Sequence, residues 1–390
     1  MMKRVTLGLE VFLRERLDLV AGKRVALLAC PSSIDSLLRS SWERLHAEPA
    51  VNLVALFGPE HGLRGAAQAG SPVQSARDSL TGLPVHSLYG KTHTPSPDML
   101  LGIDMILIDL PDGGARFYTY LATALNVLRA AKNAGVEVVL LDRPAPLGGV
   151  RVEGPVLRSA WRSFVGPFEL PIRYGMTIGE LAQLVNAAEI GCDLTVVPMR
   201  GWQREMTYAD TGLPFVPSSP NLPTLEAMLL YPGACLVEGT NLSEARGTTK
   251  PFEYIGAPWL HAEELADLLN ELGLAGLRFR PVYFLPTFSK YQGELCAGVQ
   301  VAILDRDAAQ PITAMLHVLQ AIKARYAEDF AWREAWQAAA PPPIDLLYGN
   351  DDLRLAIDSG RPVDELIAGW EADLYAFKAL RTGHLLYGDA

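Results

Sequence analysis

The stretch DMILIDLPDGGARFYTYLATALNVLRAAKNAG, residues 104–135, contains the unit from which the fold of this chain can be predicted. It begins with consecutive apolar positions, which are typical of a strand that is buried on both faces. A Gly- and Pro-containing loop follows at 111–116, and the apolar spacing after it predicts a helix over 117–135 that ends at Gly135. A buried strand followed directly by a helix indicates a parallel sheet covered by helices.

The same alternation of strand and helix patterns continues through the first half of the chain. A second helix is predicted at 177–191, where Thr177 is the N-cap and Glu180 completes a capping box. The other predicted strands are RVALLA (24–29), VNLVALF (51–57), PVHSLY (84–89), VEVVLLD (136–142) and LTVVPM (194–199). The pattern therefore predicts an α/β fold with a doubly wound, mostly parallel sheet.

The pattern changes after about residue 230, where a long polar loop interrupts the alternation. Beyond this loop we predict helices near 261–273, 311–327 and 363–380, and strands near 278–285 and 297–304. This composition is typical of a smaller α+β domain. We therefore predict two domains, an α/β domain at 1–235 and an α+β domain at 236–390.

Composition and charge limit the classes of function. The chain has 390 residues, 49% of them hydrophobic, and a formal net charge of −10, which argues against nucleic acid as a partner. Charged residues interrupt residues 1–20, so we predict neither a signal peptide nor a membrane span and expect a cytoplasmic location. The four cysteines show no CxxC spacing and are interpreted as reduced thiols. The sequence indicates no oligomeric state.

The sequence lacks three common nucleotide-binding and hydrolase motifs. LLACPSSID stands where a GxGxxG would follow the first strand, which disfavours a dinucleotide site despite the topology. Neither a P-loop nor a GxSxG at a strand end is present. We therefore expect no bound cofactor and look for chemistry in carboxylates with polar neighbours.

The loop FGPEHGLRG, residues 57–65, leaves a predicted buried strand and carries Glu60, His61 and Arg64. Pro59 and the flanking glycines predict a tight turn, which makes Glu60 the candidate general acid or nucleophile. In the alternative interpretation, Glu60 caps a helix or pairs with Arg64. His61 is interpreted as orienting Glu60 or binding substrate, because a metal site would need further ligands at suitable spacing.

Two more charged loops follow predicted strand ends: PDGGAR (111–116), with Asp112 and Arg116, and DRPAPLGG (142–149), with Asp142 and Arg143. Ligands of open α/β sheets bind beyond the carboxyl ends of the strands, so we expect these loops and loop 57–65 to converge on one rim. The alternative is that each acid and arginine form an ion pair that closes their own loop.

The polar loop EGTNLSEARGTTKPFE, residues 238–253, has the composition expected of a site for an oxygen-rich ligand. PSSPNLPTLEA, residues 217–227, adds an asparagine in a proline-bracketed turn. The candidate substrate-binding residues in these two segments are Asn221, Glu238, Asn241, Glu244 and Arg246. A solvated surface loop is the alternative interpretation.

Between about residues 50 and 305 the chain resembles a family of bacterial exo-β-N-acetylmuramidases, earlier known only as a domain of unknown function. The matching stretches are FGPEHGLRG, TGLPVHSLYG, GARFYTYLAT, LLDRPAPLGG, VEGPVL, SFVG, GMTIGELA, PSSPNLPTLEA, YPGACLVEGTNLSEARGTTKPFEYIGAPW and GELCAGVQV. The chain departs from the family at Pro111–Gly114, usually Gln-Asp-Val/Ile-Gly, and at Tyr174, usually His. These departures affect the expected substrate more than the expected fold.

The resemblance implies a Rossmann-like domain and a smaller C-terminal domain, with the active site in the cleft between them. It also implies removal of terminal N-acetylmuramic acid from the non-reducing end of peptidoglycan fragments. The catalytic glutamate of the family falls on Glu60. The lactyl carboxylate of muramic acid calls for a cation, for which Arg116 and Arg246 are the candidates.

The mechanism and two rival functions stay open at this point. Glycoside hydrolysis usually needs a second carboxylate, which could be Asp112, Glu238 or Glu244, unless the substrate's own acetamido group attacks. One rival is a metal-dependent hydrolase or deacetylase that uses Glu60, His61, Asp112 and Asp142. The other is a protein that binds peptidoglycan fragments without turning them over.

Overall fold

The computed structural model describes residues 4–335 and 340–388 and has a seven-stranded sheet at its centre. The strand order is β3-β4-β2-β1-β5-β6-β9, and every neighbouring pair is parallel except β3 and β4. Its strands are β1 (Arg24–Ala29), β2 (Asn52–Gly58), β3 (Ala76–Arg77), β4 (Pro84–Ser87), β5 (Met105–Asp109), β6 (Glu137–Leu141) and β9 (Leu194–Val197). The predicted mostly parallel sheet is confirmed.

The central strands are buried on both faces, as their continuous apolar runs predict. Every residue of β5 is buried. Leu107 packs into one hydrophobic cluster, whereas Ile106 and Ile108 pack into the larger cluster on the other face. Because helices cover both faces, no alternation of polar and apolar residues is needed along these strands.

Helices of the first part of the chain cover the sheet: α1 (Gly8–Glu15), α2 (Ser41–His46), α3 (Pro97–Leu100), α4 (Thr119–Ala134), α5 (Ile178–Val185) and α6 (Leu225–Ala234). Helix α4 ends at Gly135 in the left-handed conformation, and Thr177 and Glu180 form the predicted capping box of α5. The predicted helix 177–191 is α-helical only to Val185. A wider π-helical turn continues it to Ile190.

The second part of the chain contains an antiparallel sheet, in the order β10-β12-β11. Its strands are β10 (Tyr254–Ala257), β11 (Leu277–Phe284) and β12 (Cys296–Ile303). In the first part of the chain, β7 (Glu153–Val156) and β8 (Pro171–Arg173) form a separate antiparallel pair. The helices of the second part are α7 (Ala262–Glu271), α8 (Pro311–Arg325), α9 (Pro343–Tyr348), α10 (Asp352–Asp358), α11 (Val363–Gly369) and α12 (Glu371–Thr382). The smaller α+β part is confirmed.

The predicted single helix 363–380 is two helices that meet at Trp370. The indole of Trp370 is buried, and its Nε1 donates to the Tyr348 hydroxyl at 3.1 Å. The buried Trp370 lies where one helix ends and the next begins. The apolar spacing of the sequence does not predict this break. Within the described residues, every helix is too short or too polar to span a bilayer.

The predicted division after residue 235 falls where α6 ends and a short 3-10 turn begins. One hydrophobic cluster joins both parts of the chain, from Ala26 in β1 to Phe377 in α12. The division between domains therefore stays a prediction, and the two parts share a continuous core.

Candidate active site

A cleft of about 870 Å³ lies where loops from both parts of the chain meet. Of the candidate residues, Glu60, His61, Glu238, Glu244 and Arg246 contribute to its wall. The structure thus brings the loop after β2 and the polar loop 238–253 together. A cleft of this size accommodates more than one sugar ring.

The turn after β2 places Glu60 in the cleft. His61 and Gly62 both have positive φ, 69° and 77°, which lets the chain reverse directly after the strand. A side chain at Gly58 would come within 2.8 Å of the backbone nitrogen of Leu63, so the turn is closely packed. Glu60 is only 8% exposed, yet it lines the cleft.

Both carboxylate oxygens of Glu60 accept hydrogen bonds. The backbone N–H of Gly70 donates to Oε1 at 2.8 Å, and Oγ1 of Thr119 donates to Oε2 at 2.7 Å. Thr119 is the first residue of α4, so a rigid element orients the carboxylate. Burial, and then the nearby Glu60 carboxylate, raises the pKa of the Tyr89 phenol. Tyr89 is therefore a proton donor, not a base, at neutral pH.

His61 supports the turn. Its Nδ1 lies 2.9 Å from the carbonyl oxygen of Ala67, which can only accept, so Nδ1 carries the proton. Burial lowers the pKa of His61, more than the neighbouring Glu60 raises it. The imidazole is therefore neutral at neutral pH, and its Nε2 is a potential acceptor.

The polar loop places one arginine between two glutamates. Nη2 of Arg246 donates to Oε1 of Glu238 at 2.5 Å, and Nε of Arg246 lies 3.2 Å from Glu244. Lys290 approaches Glu244 from the other side, at 3.1 Å. These cations outweigh burial and lower the pKa of Glu244, which stays ionised. The guanidinium of Arg246 also stacks on Phe252, at 5.0 Å from the ring centre.

Arg246 keeps one donor available. Its Nη1 is buried and has no hydrogen-bond partner among the described residues. Arg44, Arg116 and Arg173, which are outside the cleft wall, also have a buried Nε without a hydrogen-bond partner among those residues, but of these four arginines Arg246 alone lines the cleft. The natural partner of a guanidinium fork is a carboxylate.

Three candidates lie near the cleft but outside its wall. Arg64 pairs with Asp78 and covers Trp42, at 5.9 Å from that ring. Asn221 is buried and lies 3.3 Å from the side-chain oxygen of Gln68, which does line the cleft. Asn241 uses its amide to hold the backbone of residues 329 and 331. Their positions support the loops and do not contact the cleft.

Arg116 corrects the expectation that it binds the substrate carboxylate. It is fully buried, and its two terminal nitrogens donate to four backbone carbonyls at 2.8–3.0 Å, those of Pro155, Leu170, Leu347 and Tyr348. Burial lowers its pKa to about 9. Arg116 joins distant segments of the fold and does not reach the cleft.

The loop 111–116 contributes no residue to the cleft wall, which corrects the expected position of Asp112. This carboxylate accepts from the Tyr174 hydroxyl and from the backbone N–H of Gly114 at 3.0 Å. Burial raises its pKa to about 6. Only the continuation of the loop, from Phe117 to Thr119, reaches the cleft wall.

The third predicted loop also does not converge on the cleft. Arg143 forms a two-pronged ion pair with Asp109 at 2.6 and 2.8 Å. Asp142 accepts from the backbone N–H of Gly179 at 2.9 Å and from the Tyr387 hydroxyl at 2.6 Å, which fixes the start of α5. Asp142 thus caps a helix and Arg143 forms an ion pair. The expectation that loop 142–149 converges on the cleft is wrong.

Several cleft residues were not singled out from the sequence. Thr119, Tyr89 and Phe164 lie in stretches that match the family, and His93 follows Tyr89, but nothing in those stretches predicted that they line one cleft. Only the folded chain brings them beside Glu60. Within residues 4–335 and 340–388, no three or more His, Cys, Asp or Glu side chains are grouped to hold a metal ion.

The fold and the cleft together define a class of protein. A parallel α/β sheet holds a hydrogen-bonded carboxylate beyond a strand end, facing a cleft that also contains a second carboxylate and a guanidinium. Carboxyl groups grouped in one cleft are typical of glycoside hydrolases.

Comparisons with known proteins place the chain within a family. Residues 25–226 match the N-terminal model, and residues 229–387 the C-terminal model, of the exo-β-N-acetylmuramidase NamZ family. The chain belongs to this glycosidase family. It is 46% identical over 385 residues to the peptidoglycan β-N-acetylmuramidase NamZ of Bacillus subtilis (strain 168), covering 98% of this chain and 92% of that protein.

Solved structures with the same fold come from Bacteroides fragilis NCTC 9343. One crystal structure of a DUF1343 family protein superimposes with a TM-score of 0.90 at 37% identity and covers 99% of each chain. A second superimposes with a TM-score of 0.78 at 30% identity and covers 100% of each chain. The resemblance inferred from the sequence motifs is confirmed.

Proposed function

We propose that this chain is an exo-acting glycosidase that removes N-acetylmuramic acid from the non-reducing end of peptidoglycan fragments. The observation that carries the proposal is the presence of Glu60 and the unpartnered Nη1 of Arg246 in one cleft. An acid for the glycosidic oxygen and a fork for the lactyl carboxylate are what this substrate requires. The Bacillus subtilis relative is named for the same activity.

Glu60 is the proposed general acid. Its two oxygens are held by Gly70 and Thr119, so the carboxyl group is oriented before substrate arrives. Such preorganisation is what acid–base catalysis requires of a side chain. His61, whose Nε2 is free of the proton, is proposed to contact a hydroxyl or the acetamido group of the sugar.

Glu238 is the proposed second carboxylate, or the group that orients the substrate's acetamide. Its side chain is 25% exposed and pairs with one cation, Arg246. Glu244 is 4% exposed and lies between Arg246 and Lys290, so it is better suited to hold Arg246 in place. Asp112 is buried and does not line the cleft, so we do not propose it for this role.

A single substitution in a turnover assay tests the proposal. Wild-type enzyme is expected to cleave the disaccharide of N-acetylmuramic acid β-linked to N-acetylglucosamine, and Glu60→Gln to lower kcat on it at least about 100-fold, the usual scale for an acid–base group. A nitrophenyl β-N-acetylmuramide, whose leaving group needs no protonation, should lose less. Glu328→Gln, on an exposed surface, serves as the matched control. Binding of the sugar without turnover by wild-type protein would instead support the rival binding function.

A chelator separates the proposal from a metal-dependent hydrolase. Treatment with EDTA is expected to leave the rate unchanged, since the proposed chemistry uses carboxyl groups only. Loss of activity that Zn²⁺ restores would favour the metal-dependent rival.

We also propose a cytoplasmic location. All four cysteines are free and buried, which fits a reducing compartment. Fractionation of cells with an antibody to this chain tests the proposal, and recovery outside the cytoplasm would contradict it.

A further inference from the structure

Three aromatic rings in the cleft wall take no part in the chemistry described above. Tyr89, His93 and Phe164 are in mutual contact, with ring centres 5.1 Å apart for Tyr89 and His93, 4.3 Å for His93 and Phe164, and 6.2 Å for Tyr89 and Phe164. We call these residues the ring cluster. All three line the same cleft as Glu60.

The ring cluster differs in its exposure from four other aromatic residues of the wall. Phe117, Tyr118, Tyr231 and Phe252 also line the cleft, but each is at most 8% exposed and belongs to the hydrophobic core. The rings of the cluster are only half-buried. Those four residues are therefore part of the hydrophobic core, whereas the ring cluster presents apolar surface to the cleft.

The backbone holds the cluster in place. Phe164 sits in a tight turn closed by reciprocal hydrogen bonds between Ser163 and Gly166, at 3.0 and 3.1 Å. The side-chain amide of Asn126, on α4, donates to the carbonyl of His93 at 3.1 Å. A prearranged aromatic surface binds at a lower entropic cost than a mobile one.

One residue of the ring cluster, Tyr89, lies near Glu60, the proposed general acid. The Tyr89 phenol lies close enough to Glu60 to feel its charge. The cation of the cleft, Arg246, instead stacks on Phe252 and pairs with Glu238. If Arg246 binds the carboxylate of the terminal acidic sugar, Glu60 protonates the glycosidic oxygen that links this sugar to the next one. The ring cluster is then the apolar surface next to that oxygen.

We propose that the ring cluster, with Phe164 as its main face, binds the leaving-group sugar, the neutral N-acetylglucosamine ring that departs when the terminal bond is cleaved. This inference rests on the proposed function. An aromatic face suits the apolar C–H face of a neutral pyranose, whereas the carboxylate-bearing sugar needs the guanidinium. The cluster then selects substrates by the sugar on the leaving side of the scissile bond.

Two substrates that differ only in the leaving group test the proposal. One is the disaccharide of N-acetylmuramic acid β-linked to N-acetylglucosamine, and the other is the β-fluoride of N-acetylmuramic acid, which has no leaving sugar. Phe164→Leu is expected to lower kcat/KM for the disaccharide about 5- to 10-fold, the scale of one aromatic contact, and to leave the fluoride within about 2-fold. Phe164→Tyr keeps the ring and is expected to restore the wild-type ratio.

Phe288 provides the matched control, because it is a half-buried phenylalanine of the same cleft that lies against the Gly247 backbone. Phe288→Leu is expected to leave the ratio of the two substrates unchanged. Inhibition by free N-acetylglucosamine gives a second measurement, and Phe164→Leu is expected to weaken it by a similar factor.

Two results would overturn the proposal. An equal loss on both substrates, or no loss on either, would show that Phe164 does not contact the leaving sugar and would leave the proposed function intact. Failure of the wild-type enzyme to cleave either substrate would instead refute the proposed function, and with it this inference.

Discussion

The hydroxyl of Thr119 donates a hydrogen bond of 2.7 Å to Oε2 of Glu60, across 59 residues of sequence. Thr119 begins helix α4, and Glu60 follows strand β2, so the bond joins two layers of the α/β fold at the cleft. The orientation of the candidate acid therefore depends on a helix that the sequence does not link to it.

Removing this hydroxyl should slow catalysis without unfolding the protein. Thr119→Val keeps the shape but cannot donate, and we expect kcat to fall about 2- to 10-fold, since a typical hydrogen bond contributes roughly 0.5–1.5 kcal/mol. Thr123→Val, one helical turn further on, is the control, because its hydroxyl bonds only to the carbonyl of Thr119. Equal rates for Thr119→Val and wild type would show that Gly70 alone orients Glu60.

Arg246 should determine selectivity for the lactyl group. Arg246→Lys keeps a positive charge between Glu238 and Glu244 but loses the planar fork, so the preference for muramides over glucosaminides should fall at least about 10-fold. The measurement is the ratio of kcat/KM for two aryl glycosides that differ only in the lactyl ether. Arg64→Lys, outside the cleft wall, should keep the wild-type ratio. An unchanged ratio in Arg246→Lys would place lactyl recognition elsewhere.

Asp112 should make stability depend on pH. Burial raises its pKa in the folded state to about 6, above its value of 3.8 in an unfolded chain. The folded state therefore favours the protonated form, and this contribution to stability is complete below about pH 4 and is lost as pH rises through about 6. A shift of about two pKa units corresponds to roughly 3 kcal/mol.

Urea unfolding at pH 5 and pH 8 measures this effect. Asp112→Asn keeps the oxygen that accepts from Tyr174 and Gly114 but cannot ionise. Its free energy of unfolding relative to wild type should therefore be higher at pH 8 than at pH 5. Asp267→Asn, on the exposed face of α7, should show no such difference. The same pH dependence in wild type and Asp112→Asn would contradict the assignment.

Arg116 should matter for stability and not for substrate affinity. Arg116→Met leaves four buried carbonyls without their donor, so the free energy of unfolding should fall by about 3 kcal/mol or more. The folded fraction should show a KM within about 2-fold of wild type, on the scale of a residue outside the site. A large rise in KM with unchanged stability would instead indicate that Arg116 binds the substrate.

The sequence by itself determined the layers of the fold. The continuous apolar runs at 104–110 and 136–142 predicted buried parallel strands, and β5 and β6 lie there. Helix ends were also predicted correctly where a local signal exists, as at Gly135 and Thr177. Such signals act between neighbours in the chain, so they survive without tertiary context.

The sequence also predicted that loop 57–65 and the polar loop belong to the site, because each concentrates charged residues between glycines, and both line the cleft. It did not separate the residues that face the cleft from those beneath it. Arg116 and Arg246 look alike in sequence, yet the terminal nitrogens of Arg116 donate to four backbone carbonyls, whereas Arg246 lines the cleft.

The tertiary structure alone decided which side chains surround Glu60. Thr119, Tyr89 and Phe164 come from a helix and two loops, and their proximity depends on strand order and loop path. The break at Trp370 has the same origin, since a partner in α9 fixes the indole. The periodicity of apolar residues predicts which residues are buried. Which of these residues contact one another depends on packing between segments that are far apart in the sequence.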